Sequence, residues 1–404
     1  MSGPDTSFAT IADGGASLAA VLDAAQLADF HPTAREPGLS RWDAIQQGSD
    51  LKMNQSDCAW FAFEAAAEGR RFSGILALHR TGPRFARMRL GPEPVQGAPP
   101  LLRPLLAGPL APLILVKPVF DARPLFLAVL YDHQRGEAEC FEQPVEGEID
   151  PHSFSFRSPD LQLLQGAAAA WRPSLPPILQ AFFARDLPAF ALRARNRRFE
   201  LELFLRPHKD PVLYGDGPAL RSGKTVIHYV QRSRLDLIGR LQLDSGPPLV
   251  LRGDATQDRH WTTVRQIGLR WIWFMARLDD GRECMAYELR GAGGGRRAPA
   301  DSGPRLGGGA WLVGVDGSVR AVDGWSLTPE AHQATPRGPV PRRLRVELPG
   351  ELRLVVESEM PTFVPTRALG ELAEAGIWES PARLVEGSVG GRFWMDVMPP
   401  YGGV

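Results

Sequence analysis

From Phe199 onward the chain alternates between short apolar runs and turn-forming clusters. The runs ELELFLRP, TVIHYVQRSRLDLIGRLQLD, PLVLRGD, LRWIWFMARL, CMAYELRG, AWLVGV, RRLRVELPG, LRLVVESEM, ARLVEGSVGG and RFWMDVM are mostly short and apolar, and the longest holds two strands. In LRLVVESE, Leu352, Leu354 and Val356 face one way while Arg353, Val355 and Glu357 face the other, the period of a strand. Short strands at this spacing predict a sandwich or a closed barrel, because closure removes the edges that so many strands would otherwise present.

The first half mixes the same signal with others. CAWFAFEAAAEGRRFSGILALHR predicts a hairpin, with Trp60, Phe61 and Phe63 before a turn at Glu68-Gly69-Arg70 and Phe72, Ile75, Leu76 and Leu78 after it. The segment APPLLRPLLAGPLAPL is too rich in Pro for a central strand and predicts a wrapping loop or edge. LILVKPVF and PLFLAVLYDH predict another strand pair. Residues 161–198 have helical periodicity broken by Pro173, Pro176 and Pro177, and predict a helical insertion. Gly291 to Gly309 is so rich in Gly that it predicts a mobile loop.

Between His228 and Arg290 the predicted strands are separated by Asp-Ser-Gly, by a polar loop from Gly253 to His260, and by Asp279-Asp280-Gly281. The reactive side chains sit at strand ends or in that loop, which predicts chemistry at one mouth of an antiparallel barrel. Arg232 and Arg234, alternating with Gln231 and Ser233, predict a solvated face.

Composition narrows the class of partner. With 404 residues, 44% of them hydrophobic, the chain can bury a large core, and its length favours two or more domains. Its 46 basic and 46 acidic residues cancel, so no net field recruits nucleic acid or an anionic membrane, and an uncharged small molecule or another protein is expected. Cys58, Cys140 and Cys284 are too scattered for a disulfide framework or a metal knuckle, which predicts a reducing, cytoplasmic setting. The apolar run Ala16 to Leu27 is interrupted by Asp23 and predicts a helix rather than a signal peptide. LRSGKT, from Leu220 to Thr225, lacks the first glycine and the following helix of a phosphate loop.

Several motifs together resemble a known family. They are the aromatic strand Ala59-Trp60-Phe61-Ala62-Phe63, the Gly-Arg-Arg-Phe turn, the polar Asp258-Arg259-His260-Trp261, the Trp271-x-Trp273 strand, the Asp-Gly turn, a strand bearing Tyr287, and the closing VEGSVGGRFWMDVMPPYGG. Their order resembles the lipocalin-like superfamily of bacterial carotenoid 1,2-hydratases, related two-domain proteins and fungal Diels-Alderases that close decalin rings. The resemblance implies a mainly β fold of two lipocalin-like antiparallel β-barrel or sandwich domains with a helical insertion. The expected organisation is an N-terminal extension at 1–54, a first domain at 55–262 containing the insertion, and a second domain at 263–404.

The resemblance also implies hydration or cyclisation of a bulky apolar molecule without metal or other cofactor. His260, Asp258, Asp254 and Tyr287 are the expected catalytic residues, with Glu288 a further candidate acid. Trp261, Trp271, Trp273, Tyr229, Trp60 and Phe63 are the expected substrate wall. A carboxyl kept protonated by apolar walls can donate to an alkene, and indole faces can stabilise a developing cation. In the family the common loop keeps Asp and His adjacent, whereas here Arg259 separates Asp258 from His260. A shaped template tolerates that separation better than a proton-transfer site does, so an isomerising cyclase of a polyene, polyketide or terpenoid is expected. The alternatives are a hydratase of an isoprenoid double bond and a non-catalytic carrier.

Overall fold

The computed structural model describes residues 56–81, 84–87, 116–119, 125–144, 148–150, 155–157, 161–167, 180, 188–209, 211–213, 220–222, 225–262, 269–291, 303–335, 339–365 and 376–398. The chain starts with the hairpin β1 (Ser56–Ala67) and β2 (Arg70–Thr81), followed by β3 (Arg84–Arg87), β4 (Val116–Val119), β5 (Leu125–Asp132), β6 (Glu137–Pro144), β7 (Glu148–Asp150) and β8 (Ser155–Arg157). Then come β9 (Leu161–Ala167), β10 (Pro188–Arg195), β11 (Phe199–Pro207), β12 (Val212–Leu213), β13 (Leu220–Ser222), β14 (Thr225–Leu243) and β15 (Leu249–Thr262). The remaining strands are β16 (Leu269–Leu278), β17 (Glu283–Gly291), β18 (Arg305–Val313), β19 (Val319–Ala321), β20 (Ser326–Gln333), β21 (Val340–Leu348), β22 (Leu352–Ser358), β23 (Thr362–Pro365), β24 (Gly376–Gly387) and β25 (Gly391–Met398).

Two large antiparallel sheets result, each curled into a half-barrel in the lipocalin-like manner. The first runs in the order β6-β5-β2-β1-β15-β14-β11-β10-β9-β8-β7, with β12 and β13 attached to β14. The second runs β19-β18-β17-β16-β25-β24-β22-β21-β20, with β23 attached to β24. Among the described residues no helix is long and apolar enough to cross a membrane.

Each sheet encloses its own core, and the two sheets pack through their other faces. In β1, Phe61, Phe63 and Ala65 point into the first core, while Trp60 and Ala62 point at the second sheet. Both faces of the strand are thus buried, which is why CAWFAF is apolar at consecutive positions rather than alternating. Each phenylalanine buried here stabilises the fold by roughly 1.5–3 kcal/mol. Phe274, Leu344, Leu354 and Phe393 fill the second core. Between the sheets, Ile75, Ala77, Val129 and Tyr131 of the first pack on Met275 and Trp394 of the second.

The expected turns form where special backbone is available. Glu68 and Gly69 both take positive φ, 50° and 76°, so β1 and β2 join through the primed type of two-residue turn. Gly281, at φ 87°, closes the Asp279-Asp280-Gly281 turn between β16 and β17. In LRSGKT, Leu220 to Ser222 form β13, which pairs antiparallel with the start of β14 at Thr225.

Other expectations are corrected. The polar stretch from Gly253 to His260 is not a loop but the middle of β15, paired with β1 on one side and β14 on the other. Polar side chains find partners on both faces: Gln257 accepts from buried Arg232 at 2.6 Å, and Thr256 accepts from Arg277 of the second sheet at 2.9 Å. Arg232, 1% exposed, and Arg234, which reaches Glu283 at 3.0 Å, therefore do not form a solvated face. The stretch 161–198 is strand at both ends, β9 and β10, because its apolar residues complete the ladder beyond β11. Apart from Gln180, the positions between those strands lie outside the described residues, as do the extension at 1–54 and the Pro-rich segment at 90–113. LILVKPVF and PLFLAVLYDH supply β4 and β5, but β4 pairs with β3, and β5 pairs with β2 and β6. The end of the Gly-rich segment is strand β18: a Cβ on Gly309 would lie 2.1 Å from the Trp311 ring, so glycine there admits an indole.

Close approach of β15 to β1 depends on another glycine. A Cβ on Gly253 would lie 2.0 Å from the Glu64 carbonyl oxygen and 2.7 Å from Ala65 Cα. Gly253→Ala is expected to lower the unfolding free energy by about 1–3 kcal/mol in urea titrations, because backbone must move. A loss below about 0.5 kcal/mol would contradict this packing.

Candidate active site at the junction of the sheets

Register places the chemistry. Residues directly opposite one another in antiparallel strands share a face, and in the second sheet Glu379 of β24, Asp396 of β25, Trp273 of β16 and Tyr287 of β17 form one such row. The adjacent row holds Trp394, Met275, Met285 and Trp311. In the first sheet, Ala77, Trp60, Asp258 and Gln231 form the matching row. The two faces meet. Gln231 Nε2 donates to Asp258 Oδ1 at 2.8 Å and lies 3.7 Å from Met275 Sδ across the junction.

Three carboxyls thereby gather in an aromatic setting. Asp258 is 8% exposed and Glu379 is fully buried. Trp271 Nε1 donates to Asp396 Oδ1 at 2.9 Å, and Trp394 Nε1 donates to Glu379 Oε2 at 2.6 Å. Burial pushes Asp258 up to about 7 against the hydrogen bonds from Tyr229 and Gln231 and the charge of Arg277, all of which favour the carboxylate. Burial also pushes Asp396 up to about 7, helped by the Asp258 charge and opposed by the Trp271 hydrogen bond. Glu379 is held well above the ordinary carboxylate range by burial and then by the Asp396 charge. Tyr287 is pushed up to about 12 by burial, so its hydroxyl keeps its proton, and its ring stacks on Trp311 at 5.7 Å. Such a cluster can hold and hand over a proton near neutral pH in an apolar environment.

A separate polar set closes the same junction at its other end. Asp254 and Glu64, paired across β15 and β1, face Arg277 and Arg392, paired across β16 and β25. Arg277 Nε lies 2.5 Å from Asp254 Oδ1, and Arg392 also pairs with Asp254. Arg71 makes a bidentate pair with Glu359, at 3.1 and 3.0 Å, and reaches Glu64 at 3.2 Å. Ser73 Oγ and His133 Nε2 lie 2.7 Å apart, with His133 Nδ1 3.5 Å from Glu359. Lys209 Nζ donates to Glu283 and to the carbonyls of Gly281 and Gly314 at 2.7–2.8 Å.

Of the residues expected from sequence, Asp258, Tyr229, Trp60, Trp271, Trp273 and Tyr287 come to this junction. Phe63 does not: it lies one position out of phase with Trp60 and enters the first core. Asp254 belongs to the ion-pair end, held by two guanidiniums. Glu288 pairs with Arg290 and Arg305 instead of facing the junction acids. His260 sits opposite Cys58 and Tyr229, and Trp261 opposite Asp57 and His228, in backbone register; their side chains lie outside the described residues. Among the described residues no group of three His, Cys, Asp or Glu is arranged to hold a metal ion.

Sequence reasoning passed over Glu379, Asp396, Gln231 and Trp394. A signal existed: in IWESPARL and RFWMDVM a lone carboxylate follows a tryptophan inside an otherwise apolar strand. An acid there must either face solvent or be paired in the interior, and only strand register distinguishes the two.

Residues 179–398 match the AttH-like family. In structure the chain is similar to an AttH-type protein from Nitrosomonas europaea, with TM-score 0.63 and 16% identity over 91% of this chain and 99% of that one. It is also similar to kievitone hydratase from Nectria haematococca, with TM-score 0.53 and 9% identity over 85% and 88% of the two chains. At such identities the likeness is one of fold. No curated protein matches the chain in sequence. The family match spans more than half the length, and the chain belongs to the AttH-like family.

Proposed function

We propose that the protein is a cofactor-independent enzyme that adds water to, or removes it from, an electron-rich double bond of a bulky apolar molecule held between the two sheets. The observation that carries this reading is the meeting of Asp258, Asp396 and Glu379 from both sheets among indoles and phenols, with two of the carboxyls near pKa 7. Protonating an alkene needs an acid that is neutral at working pH and a wall that tolerates a cation. Burial supplies the first, and the faces of Trp60, Trp273 and Trp394 supply the second. Kievitone hydratase, a structural neighbour, carries an activity of this type in its name. In this reading the two sheets act as two domains that meet around the substrate, and Trp271 and Gln231 orient the carboxylates.

A cyclase is the second reading. The hydroxyl of Tyr287 remains a protonated donor and could bind a carbonyl of a folded polyene, a reaction that needs no proton transfer.

Product mass separates the readings. Incubation with prenylated and polyene substrates in ¹⁸O-water is expected to give a labelled product one water heavier. An isomer of the substrate would transfer the assignment to the cyclase, and tight binding without conversion would make the protein a carrier.

A further inference from the structure

Two buried polar atoms at the junction stand out. Glu379 is 0% exposed; its Oε2 accepts from Trp394 Nε1 at 2.6 Å, and its backbone carbonyl accepts from Tyr131 at 3.0 Å, but its Oε1 has no hydrogen-bond partner among the described residues. Trp273 Nε1 is likewise buried without a hydrogen-bond partner among the described residues. Both belong to the row Glu379, Asp396, Trp273, so one open acid oxygen and one open N–H donor flank a second carboxyl. Buried polar groups are almost always hydrogen-bonded, and an exception among buried acids and aromatics marks a position where a ligand completes the set.

Protonation follows from the bonding pattern. Trp394 donates to Oε2, so a proton on the Glu379 carboxyl resides on Oε1, the oxygen left open. Asp258 differs: Gln231 and Tyr229 both donate to it, so its carboxyl is already engaged within the protein. Resting on the hydro-lyase reading above, we propose that Glu379 is the proton donor of the junction site and that the indole N–H of Trp273 holds the oxygen of the adding or departing water.

The step balances without a co-reactant beyond water. The Glu379 Oε1–H bond breaks and its proton bonds to the less substituted alkene carbon through the π pair. The cation left on the more substituted carbon accepts a lone pair of the water held by Trp273, forming the C–O bond. The surplus proton of that water passes to the carboxylate of Asp396, directly across the strand pair from Glu379, and returns from there to Glu379. Alkene plus water becomes a tertiary alcohol, and dehydration is the reverse.

The test compares Glu379→Gln, Asp258→Asn and Trp273→Phe in the full chain, using prenylated alkenes, deuterium uptake from D₂O into the alkene, and substrate binding by tryptophan fluorescence. Glu379→Gln is expected to bind substrate within a few-fold of wild type while kcat and deuterium uptake fall by about 10³-fold or more, since amides cannot donate this proton. Trp273→Phe, which keeps the ring and loses the donor, is expected to lower kcat by roughly 10–100-fold. Asp258→Asn, at a carboxyl of the same cluster that is not the donor, is expected to lower kcat and deuterium uptake at least tenfold less than Glu379→Gln does. A Glu379→Gln variant that binds substrate and keeps more than a tenth of the wild-type deuterium uptake overturns the assignment of Glu379 while leaving hydration standing. If Asp258→Asn alone abolishes uptake, the donor is Asp258. Should wild type neither hydrate an alkene nor exchange deuterium into it, both the donor and the reading beneath it fall. If Glu379→Gln does not fold, Glu379→Asp, which keeps the acid, is expected to fold with low but measurable uptake, and its complete inactivity with intact binding counts against the proposal.

Discussion

Arg277→Met is expected to lower the unfolding free energy by about 3–5 kcal/mol, a large part of the stability of an ordinary domain. Arg277 is 4% exposed and reaches from β16 across the junction to Asp254 Oδ1 at 2.5 Å and Thr256 Oγ1 at 2.9 Å. Burial lowers its own pKa, and the charges of Asp254 and Glu64 oppose that shift. Methionine fills a similar volume but leaves two carboxylates facing Arg392 and Arg71 alone, and an uncompensated buried charge costs more than the intact pair contributes. Glu64, already raised by burial, can escape by taking up a proton, so the loss should deepen as pH rises. Urea titrations at pH 7 check this, and a loss below about 1 kcal/mol would mean that the ion pair does not hold the sheets together. The double variant Arg277→Met/Asp254→Leu should recover part of the loss, because it removes the stranded charge along with its partner.

The strands that alternate or run apolar between turn signals were legible in the sequence, and so was the pairing of β1 with β2, since Glu68-Gly69 supplies the positive φ that a tight hairpin requires. The stretch Gly253 to His260 was not. Polarity signals a loop only when a strand has a wet face, and β15 has none: one face meets Arg232 and the other meets the second sheet. The same logic misplaced Arg232 and Arg234, which alternate as a solvated face would but line a strand covered on both sides. Within the site, Asp258, Trp271 and Trp273 were legible because they cluster in sequence. Glu379 and Asp396 lie more than a hundred residues further along and reach Asp258 only through the register of β24, β25 and β16 and the packing of one sheet on the other. Sheet stacking is a tertiary fact that strand periodicity does not encode.

Asp258→Asn is expected to stabilise the protein by up to about 4 kcal/mol at pH 8 and by about 1–2 kcal/mol at pH 5, and to have little effect below about pH 4. In the folded protein Asp258 sits at about 7, against 3.8 for the ordinary side chain. Between those values the folded state holds a proton that the unfolded chain releases, so this group's contribution is fully present below about pH 4 and is lost as pH rises through 7. At pH 8 the folded protein must keep a carboxylate buried among aromatics, and the roughly three-unit shift sets the ceiling on the cost. Asparagine carries no such cost and still accepts from Gln231. Its neutrality also relieves Asp396, which the Asp258 charge helps to raise. The difference between variant and wild type is the quantity to measure, because His133 works in the opposite sense: burial lowers it to about 4, so between about 4 and 6.5 the unfolded chain holds the extra proton and stability rises with pH. That contribution is common to both proteins and cancels. Denaturation from pH 3 to 9 should therefore show a gap that opens above about pH 4, widens until about pH 7 and is level beyond it, and a gap independent of pH would mean that burial does not raise Asp258. A widening gap would show that the junction keeps acids in their neutral form at the expense of stability, as a proton-transfer site requires.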